Sequence, residues 1–194
     1  MNKVVRFDYR CYSQRGFTLV EMSIVLVIIG LLLGGVLKGR TFIESAKQRA
    51  LIDEARSLVA SVISYQEKYG SYPGDHMASD VWDTARNGNQ DGAIQEWNLA
   101  LQHLALAGFI TGTFNGVDDR LQHTYGGYAY VGFQNIRDYG AANLLRFDNL
   151  PRSAAKALDD ALDDGVPDTG VVRINDGNYT DNPNTRVAFT GYYF

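Results

Sequence analysis

The sequence predicts an α+β fold, in which one long N-terminal helix packs on a small antiparallel-sheet domain with short extra helices. Three observations carry this prediction. A basic segment precedes about twenty apolar residues, an amphipathic pattern then continues to Tyr69, and the second half alternates apolar and polar residues between glycine-rich turns. At 194 residues the chain is long enough for this helix and one globular domain.

The apolar run opens at Phe17 and continues to Leu37, with Glu21 as its one charged residue. A helix of about 20 apolar residues crosses the hydrocarbon core of a bilayer. A carboxylate inside such a run is costly in lipid, so we expect Glu21 to be functional and to need a cationic partner. A signal peptide or a plain membrane anchor with a stray acid is the alternative.

The residues around this glutamate resemble the prepilin-type leader of type IV pilins and type II secretion pseudopilins. The resemblance rests on Gly16, Phe17, Thr18, Leu19, Glu21 and the apolar run 24–30. It implies that a membrane-embedded prepilin peptidase cuts after Gly16 and methylates the new N-terminal amine of Phe17. It also implies that Glu21 aligns an incoming subunit on the terminal amine of its neighbour as a filament grows.

The resemblance divides the chain into a leader peptide at 1–16, a transmembrane or filament-core helix at 17–40, and a periplasmic or extracellular pilin-like domain at 41–194. It implies a single-pass protein of the bacterial inner membrane with a cytoplasmic N-terminus, which enters a pilus or pseudopilus on assembly. The implied partners are the prepilin peptidase/N-methyltransferase, other pilin or pseudopilin subunits, the inner-membrane assembly platform and membrane lipid. Basic residues are balanced on both sides of the span, so their count alone does not decide orientation.

The function that follows is that of a structural subunit of a type IV pilus or a pilus-like filament. A type II secretion pseudopilin and a competence pseudopilin for DNA uptake stay open as alternatives. Removing the leader, with four basic residues and one acidic, changes the formal charge from −4 to −7. We therefore expect no direct nucleic-acid contact.

The sequence gives no indication of an enzyme. It contains no nucleophile elbow, zinc signature or phosphate loop, and its three histidines lack the paired spacing of a metal site. A signal-anchored hydrolase with scattered catalytic groups is the alternative. The one cysteine, Cys11, lies in the leader, so cleavage would leave no disulfide, unlike many pilins. Other interactions must then hold the loops.

The apolar run and the amphipathic segment are predicted to form one helix. Glycines at 30, 34, 35 and 39 allow either close helix packing or local flexibility, and Lys38 stands where many pilins carry a proline. Beyond Thr41, one helical face collects the apolar residues Leu51, Ala55, Leu58, Val62, Tyr65 and Tyr69. Gly70 and Pro73 should end the helix.

A loop between the helices resembles the first part of a calcium-binding loop. Asn87, Asn89 and Asp91 stand at alternate positions, followed by Gly92. The twelfth position of such a loop, which should hold a bidentate glutamate, is Asn98. Calcium is therefore the one cofactor considered, and a metal-free turn with Asp91 as a helix N-cap is the alternative.

The rest of the chain predicts two short helices and several strands. A helix should run from Ile94 to Gly108, with His103 about 120° from its apolar stripe and therefore solvated. Ser153 should cap another helix, with Ala155, Leu158 and Leu162 facing inward. Strands are expected at 125–134 (apolar on both faces), 143–148, 170–174 and 185–194, with a docked aromatic tail.

Five aspartates near this last helix cluster in the sequence: Asp159, Asp160, Asp163, Asp164 and Asp168. They suit either a second cation site or ordinary acidic residues of a helix end and turn.

Overall fold

The computed structural model describes residues 16–135, 140–175, 177–179 and 182–194. By internal contacts the chain divides into two units, Met1–Ile43 and Glu44–Phe194. Each unit is described separately below. The α+β class predicted from the sequence is confirmed, with a long N-terminal helix, an antiparallel sheet and short helices.

The first unit consists, where described, of the start of helix α1, which spans Leu19–Tyr69. The helix begins two residues later than predicted, at Leu19 instead of Phe17, because Thr18 caps it. Its apolar side chains from Leu19 to Leu37 are exposed. By length and composition this is the one described helix that is able to cross a membrane.

In the second unit, α1 buries the face that its spacing predicted. Leu51, Ala55, Val62 and Tyr65 are inaccessible to solvent and join the core of the domain. The helix ends at Tyr69 because Gly70 adopts a φ of 74°, a left-handed conformation that glycine enters without steric cost. The predicted helix end is therefore confirmed.

Five antiparallel strands in the described part of the chain form one sheet in the order β1-β2-β3-β5-β4. Their bounds are Leu121–Gln122 (β1), Tyr128–Gln134 (β2), Ala142–Pro151 (β3), Val172–Ile174 (β4) and Arg186–Tyr193 (β5). The register pairs Val131 with Leu145, and Leu145 with Tyr192. One face of β2 contributes Ala129 and Val131 to the core, whereas Tyr128 on the other face is exposed. On that other face, however, Tyr130 packs on Trp97 with ring centroids 5.4 Å apart, and Gly132 is buried. The prediction of a strand with apolar residues on both faces is therefore confirmed for its middle, although the strand begins at Tyr128 instead of Tyr125.

Two further α-helices flank the sheet, α2 at Trp97–Leu106 and α3 at Arg152–Leu162, and a 3-10 turn spans Ala78–Asp80. Both predicted caps were wrong. Pro151 occupies the N-cap of α3, so Ser153 lies inside the helix, and Glu96 precedes α2 in place of Asp91. Neither N-cap residue makes a side-chain hydrogen bond to its helix. At the start of α3, another segment supplies the acceptors, since Arg152 N–H donates to the carbonyl of Thr185 and Ser153 N–H to that of Pro183.

His103 corrects a further prediction, since its side chain is fully buried instead of solvated. Its Nδ1 accepts the backbone N–H of Gly74 at 2.9 Å, and its Nε2 lies 2.7 Å from the carbonyl oxygen of Arg86. The segment between these two residues therefore covers the side of α2 that the helical pattern assigned to solvent. Local periodicity gives no information on such a covering segment, because it comes from elsewhere in the chain.

Carboxylates hold several loops of this unit by accepting backbone N–H groups. Asp75 accepts the backbone N–H groups of Asp91 and Gly92, and Asp119 accepts those of residues 115 and 116. Asp163 accepts those of Val171 and Val172. A carboxylate that accepts two N–H groups makes charge-assisted hydrogen bonds, which are about twice as strong as neutral ones. The C-terminal tail is docked, as predicted, with Tyr193 only 2% exposed.

Candidate functional site

The predicted processing and assembly residues lie together at the N-terminus of α1. Thr18 precedes the first helical residue, and its Oγ1 accepts the N–H of Glu21 at 3.2 Å. In return, Glu21 Oε2 accepts the N–H of Thr18 at 2.8 Å and the hydroxyl of Thr18 at 2.9 Å. This reciprocal pair is a capping box, which satisfies two N–H groups that the first turn of a helix leaves without partners.

The capping box fixes where the Glu21 carboxylate lies. Both bonds from Thr18 reach Oε2, and in the described part of the chain no hydrogen bond to Oε1 is present. The carboxylate is therefore held next to Thr18, close in sequence to Phe17. Its second oxygen, Oε1, is available to a cation. Phe17 itself is 82% exposed, and no atom lies within 4 Å of the Cβ position at Gly16.

Sequence reasoning overlooked Thr18 as a functional residue, although its signal was present. The pattern Thr-x-x-Glu directly before an apolar run is the sequence signature of a capping box. The leader motif alone gives Thr18 no separate role. The structure assigns it the task of orienting Glu21.

Beyond the cap, the apolar surface of α1 includes four glycines of the helix. Apart from the helix backbone and the neighbouring residues, no described atom lies within 4 Å of the Cβ positions at Gly30, Gly34, Gly35 or Gly39. These positions are open, so another helix is able to approach the backbone closely there. The exposed apolar residues around them need either lipid or other apolar helices to cover them.

The predicted calcium loop is held by bonds within the protein. Asn87 is turned toward Ser79, because its Oδ1 accepts the Ser79 N–H at 2.8 Å and its Nδ2 donates to the Ser79 hydroxyl at 2.7 Å. Asn89 and Asp91 do lie together, with Asn89 Nδ2 donating to Asp91 Oδ2 at 3.0 Å. Asp91 also accepts the N–H of Ala93. Two of the three predicted ligands are thus adjacent, and calcium binding stays a prediction.

The second acidic group is more compact. One oxygen from each of Asp159, Asp163 and Asp164 lies within 4.8 Å of the others. Each carboxylate already accepts protein donors: Asp159 from Tyr179 Oη at 2.9 Å, Asp164 from Thr169 Oγ1 at 2.5 Å, and Asp163 from two backbone N–H groups. Such bonds are typical of acidic residues at a helix end and in a turn, which is the alternative to a second cation site.

Asp160 and Asp168 lie outside this group. Asp160 pairs with Lys156 one helical turn earlier, with a shortest distance of 2.6 Å, and Asp168 is exposed. Burial raises the pKa of Asp159 to about 6, against the lowering effect of the bonds from Tyr179 and Gly165. Its side chain is fully buried, so desolvation is the expected main cause.

Comparison with known proteins gives one match. Residues 11–37 match the family described as the prokaryotic N-terminal methylation motif. No curated protein and no solved structure is significantly similar to the chain. The matched segment covers the predicted cleavage site, the capping box and the apolar run up to Leu37.

This motif marks structural pilin-like subunits, which are not enzymes. The motif and the exposed apolar helix that follows it support membrane anchoring and assembly with other subunits. The chain therefore carries at its N-terminus the prepilin-type leader of type IV pilins and pseudopilins.

Proposed function

We propose that this chain is the precursor of a structural subunit of a type IV pilus or a pilus-like filament. The observation that supports it most strongly is the methylation motif at residues 11–37, followed directly by an exposed apolar helix. Its work is mechanical and it catalyses no reaction. Apolar helices associate in the filament core, and the domain from residue 41 onward determines what the filament touches.

The first step is removal of the leader. The prepilin peptidase hydrolyses the peptide bond between Gly16 and Phe17, which releases residues 1–16 and leaves a free amine on Phe17. Methylation of this amine follows. The lack of neighbouring atoms around Gly16 and the exposure of Phe17 are consistent with access by the enzyme.

In the membrane, residues 17–40 form the span, with the N-terminus in the cytoplasm and the domain outside the inner membrane. The 19 residues from Leu19 to Leu37 rise about 28 Å as a helix, close to the thickness of the hydrocarbon core. Glu21 lies near the cytoplasmic end of this span.

Assembly depends on the Glu21 carboxylate. Thr18 donates two hydrogen bonds to Oε2. The other oxygen, Oε1, accepts a hydrogen bond from the charged amine of Phe17 on a neighbouring subunit. An ammonium at this depth neutralises a carboxylate that would otherwise be expensive to keep in an apolar environment. Pairing also sets the axial register of the incoming subunit, because the amine and the carboxylate stand at fixed positions on their helices.

Two more specific functions share this mechanism. A type II secretion pseudopilin would use the same helix to push folded proteins through an outer-membrane channel, and a competence pseudopilin would act in DNA uptake. The formal charge of −7 after cleavage favours the functions without direct DNA contact.

The test of processing is the intact mass of the protein extracted from membranes. In a host with prepilin peptidase, we expect the mass of residues 17–194 plus one methyl group. A peptidase-deficient host, as control, should yield the full 194-residue chain. Retention of Met1 in the host with peptidase would overturn the proposal.

The test of assembly is Glu21→Ala, with Glu67→Ala as matched control, since Glu67 is an exposed acid on the same helix. Glu21→Ala should leave processing intact and remove the subunit from sheared filaments. Glu67→Ala should assemble normally. Normal incorporation of the Glu21→Ala subunit would contradict the pairing between carboxylate and amine.

A further inference from the structure

A groove with one acidic side chain opens on the surface of the second unit. Its volume is about 370 Å³. The apolar lining comes from Leu58 on α1, Phe109 and Ile110 after α2, and Leu121 on β1. The polar lining comes from Glu54, Ser57 and Thr111.

Glu54 is the only charged residue that lines the groove, and it has no cationic partner. In the part of the chain that the structure describes, its half-buried carboxylate makes no hydrogen bond or ion pair. The helix positions three and four residues away on either side hold Ala50, Leu51, Ser57 and Leu58. None of these is basic, so α1 itself supplies no partner at these spacings. Burial raises the pKa of Glu54, as expected for an uncompensated carboxylate.

Two cations of α1 on the C-terminal side of Glu54 do not pair with it. Arg56 donates to the carbonyl oxygen of Ala161 at 3.3 Å. Lys68 lies 5.8 Å from the ring centroid of Phe109, but it is 14 residues from Glu54, about 21 Å along α1. An apolar groove with one unpaired acid therefore suits a long cationic side chain, whose stem is apolar and whose head is charged.

Each copy of the chain carries such a cation at Arg49. This side chain is exposed and makes no hydrogen bond or ion pair among the described residues. It precedes Glu54 by five residues, which corresponds to a rise of about 7.5 Å and a rotation of about 140° around the helix. The two groups point to different sides of α1, so within one chain they are badly placed to pair. A contact between these two different groups on two copies would be head-to-tail, and head-to-tail contacts that do not close into a ring propagate into open filaments.

We propose that the groove at Glu54 binds the Arg49 side chain of a second copy of this chain. The aliphatic stem of Arg49 packs on Phe109, Ile110 and Leu121, and its guanidinium pairs with the carboxylate of Glu54. The planar guanidinium forms two parallel hydrogen bonds to a carboxylate, which fixes the direction of approach. The inference rests on the proposed filament function, which supplies the neighbouring copy.

The first experiment is a charge swap in the full chain. We expect Glu54→Arg and Arg49→Glu each to reduce the assembled fraction by at least about tenfold, which corresponds to 1.4 kcal/mol. The double variant should return to within about threefold of the unmodified chain, because the pair is restored with reversed charges. Asp53→Arg is the matched control; it is an exposed acid next to Glu54 that does not line the groove, and it should assemble normally.

Either of two outcomes overturns the inference: single variants that assemble normally, or a double variant that stays defective while each single variant is stably folded. The second outcome would point to a different occupant of the groove. Glu54→Gln, which keeps the shape of the side chain, should weaken assembly in the same direction and guards against a folding defect caused by arginine.

The second experiment is a cross-link that does not depend on filament formation. In a Cys11→Ser background, the pair Glu54→Cys and Arg49→Cys is treated in isolated membranes with a bis-maleimide long enough to span an arginine–glutamate pair, because a disulfide bridges Cα atoms only up to about 7 Å apart. We expect covalent dimers and larger multimers with this pair, and no larger multimers with either single cysteine, which has only one point of attachment. Absence of multimers from the pair overturns the inference. Failure of the proposed function is distinguished separately, by the intact-mass test of leader removal.

Discussion

The buried carboxylate of Asp75 holds Asp91, whose backbone N–H donates to Asp75 Oδ1 at 2.9 Å. The bond joins residues 16 positions apart and fastens the loop that leads into α2. The N–H of Gly92 donates to the other oxygen, Oδ2, at 3.0 Å. Such carboxylate-to-backbone bonds are interactions other than a disulfide that hold the loops of this unit together.

Asp75→Asn should destabilise the second unit. The replacement leaves an amide NH₂ facing one of two backbone N–H groups, so a partly buried N–H loses its charged acceptor, at a cost of about 1–3 kcal/mol. For a domain of this size that lowers Tm by roughly 2–4 °C per kcal/mol. Thermal unfolding of the detergent-solubilised chain, followed by circular dichroism, measures the change.

Asp118→Asn serves as its control. Asp118 is exposed and makes a surface ion pair with Arg120 at 2.9 Å, and such pairs contribute at most about 1 kcal/mol. Its Tm should therefore stay within about 2 °C of the unmodified chain. Equal effects of the two substitutions would contradict the structural role assigned to Asp75.

Thr18→Val should weaken the capping box without changing the size of the side chain. Removing the hydroxyl breaks two of the three bonds between Thr18 and Glu21. Loss of a cap costs about 1 kcal/mol, or about fivefold in an equilibrium. Because Glu21 is then less well oriented, the assembled fraction should fall by about that factor while leader removal continues.

Thr18→Ser keeps the hydroxyl and should restore assembly. Intact mass and sheared-filament yield give the two readouts. A serine variant as defective as the valine variant would show that the methyl group of Thr18 is needed and that the cap is not.

Acid should destabilise the second unit through its buried histidines. Burial lowers the pKa of His76, His103 and His123 below the usual value near 6.5. The unfolded chain therefore binds more protons once the pH falls below about 6.5, and the stability contributed by each neutral ring is lost as pH falls toward its folded pKa. At His103 the geometry gives the reason, since Nδ1 must stay unprotonated to accept the N–H of Gly74.

His103→Gln isolates this effect, because it removes the titrating ring. The unmodified chain should exceed this variant in Tm at pH 7.5, and the difference should shrink at pH 5.5. A difference that is independent of pH would contradict the assignment of a neutral, buried His103.

Asp159 should change the stability of the second unit with pH in the opposite direction to the histidines. Its folded pKa of about 6 lies above the usual aspartate value, chiefly because of burial. The native state therefore binds more protons between about pH 4 and pH 6, so the contribution of Asp159 is present at low pH and is lost as pH rises through about 6. Relative to Asp159→Asn, the unmodified chain should lose stability by up to about 3 kcal/mol between pH 4 and pH 7. Denaturant unfolding at both pH values measures this; a constant difference would contradict it.

Calcium binding at the predicted loop should be weak. Asn87 must first release Ser79, because both ends of its amide are bonded there. A site with a Kd of about 1 mM would add about 1 kcal/mol at 5 mM calcium, or roughly 2–4 °C in Tm. Asp91→Asn should abolish the shift, and Asp163→Asn should keep it, which separates the two acidic loops. No shift in the unmodified chain at 5 mM would end the calcium hypothesis.

Local patterns were sufficient for much of the fold. The spacing of Leu51, Ala55 and Val62 identified the buried face of α1, and Gly70 identified its end. These features depend on side-chain periodicity and on backbone conformation at a single residue, both of which can be read within a few positions. The leader motif belongs to the same class, since Gly16, Phe17 and Glu21 all lie in the short segment 16–21.

The order of strands and the environments of single polar residues were decided by tertiary structure. His103 was expected in solvent because its own helix pattern places it away from the apolar stripe. It is buried because residues 74–86 bond both of its ring nitrogens and the ring of Tyr65 stacks on it. Ser153 was expected as a cap, yet Pro151 ends β3 and starts α3 directly, with Thr185 and Pro183 accepting the first N–H groups. Each error concerns a partner more than 15 residues away.

The N-terminal site and the domain thus differ in the sequence separation of the residues that interact. The sequence by itself determined the leader, the span and the apolar face of α1, because covalent neighbours and helical periodicity specify them. The bonds of Asp75, the burial of His103 and the groove around Glu54 were decided only when distant segments met, because a buried polar group is defined by the partners that the folded chain brings to it.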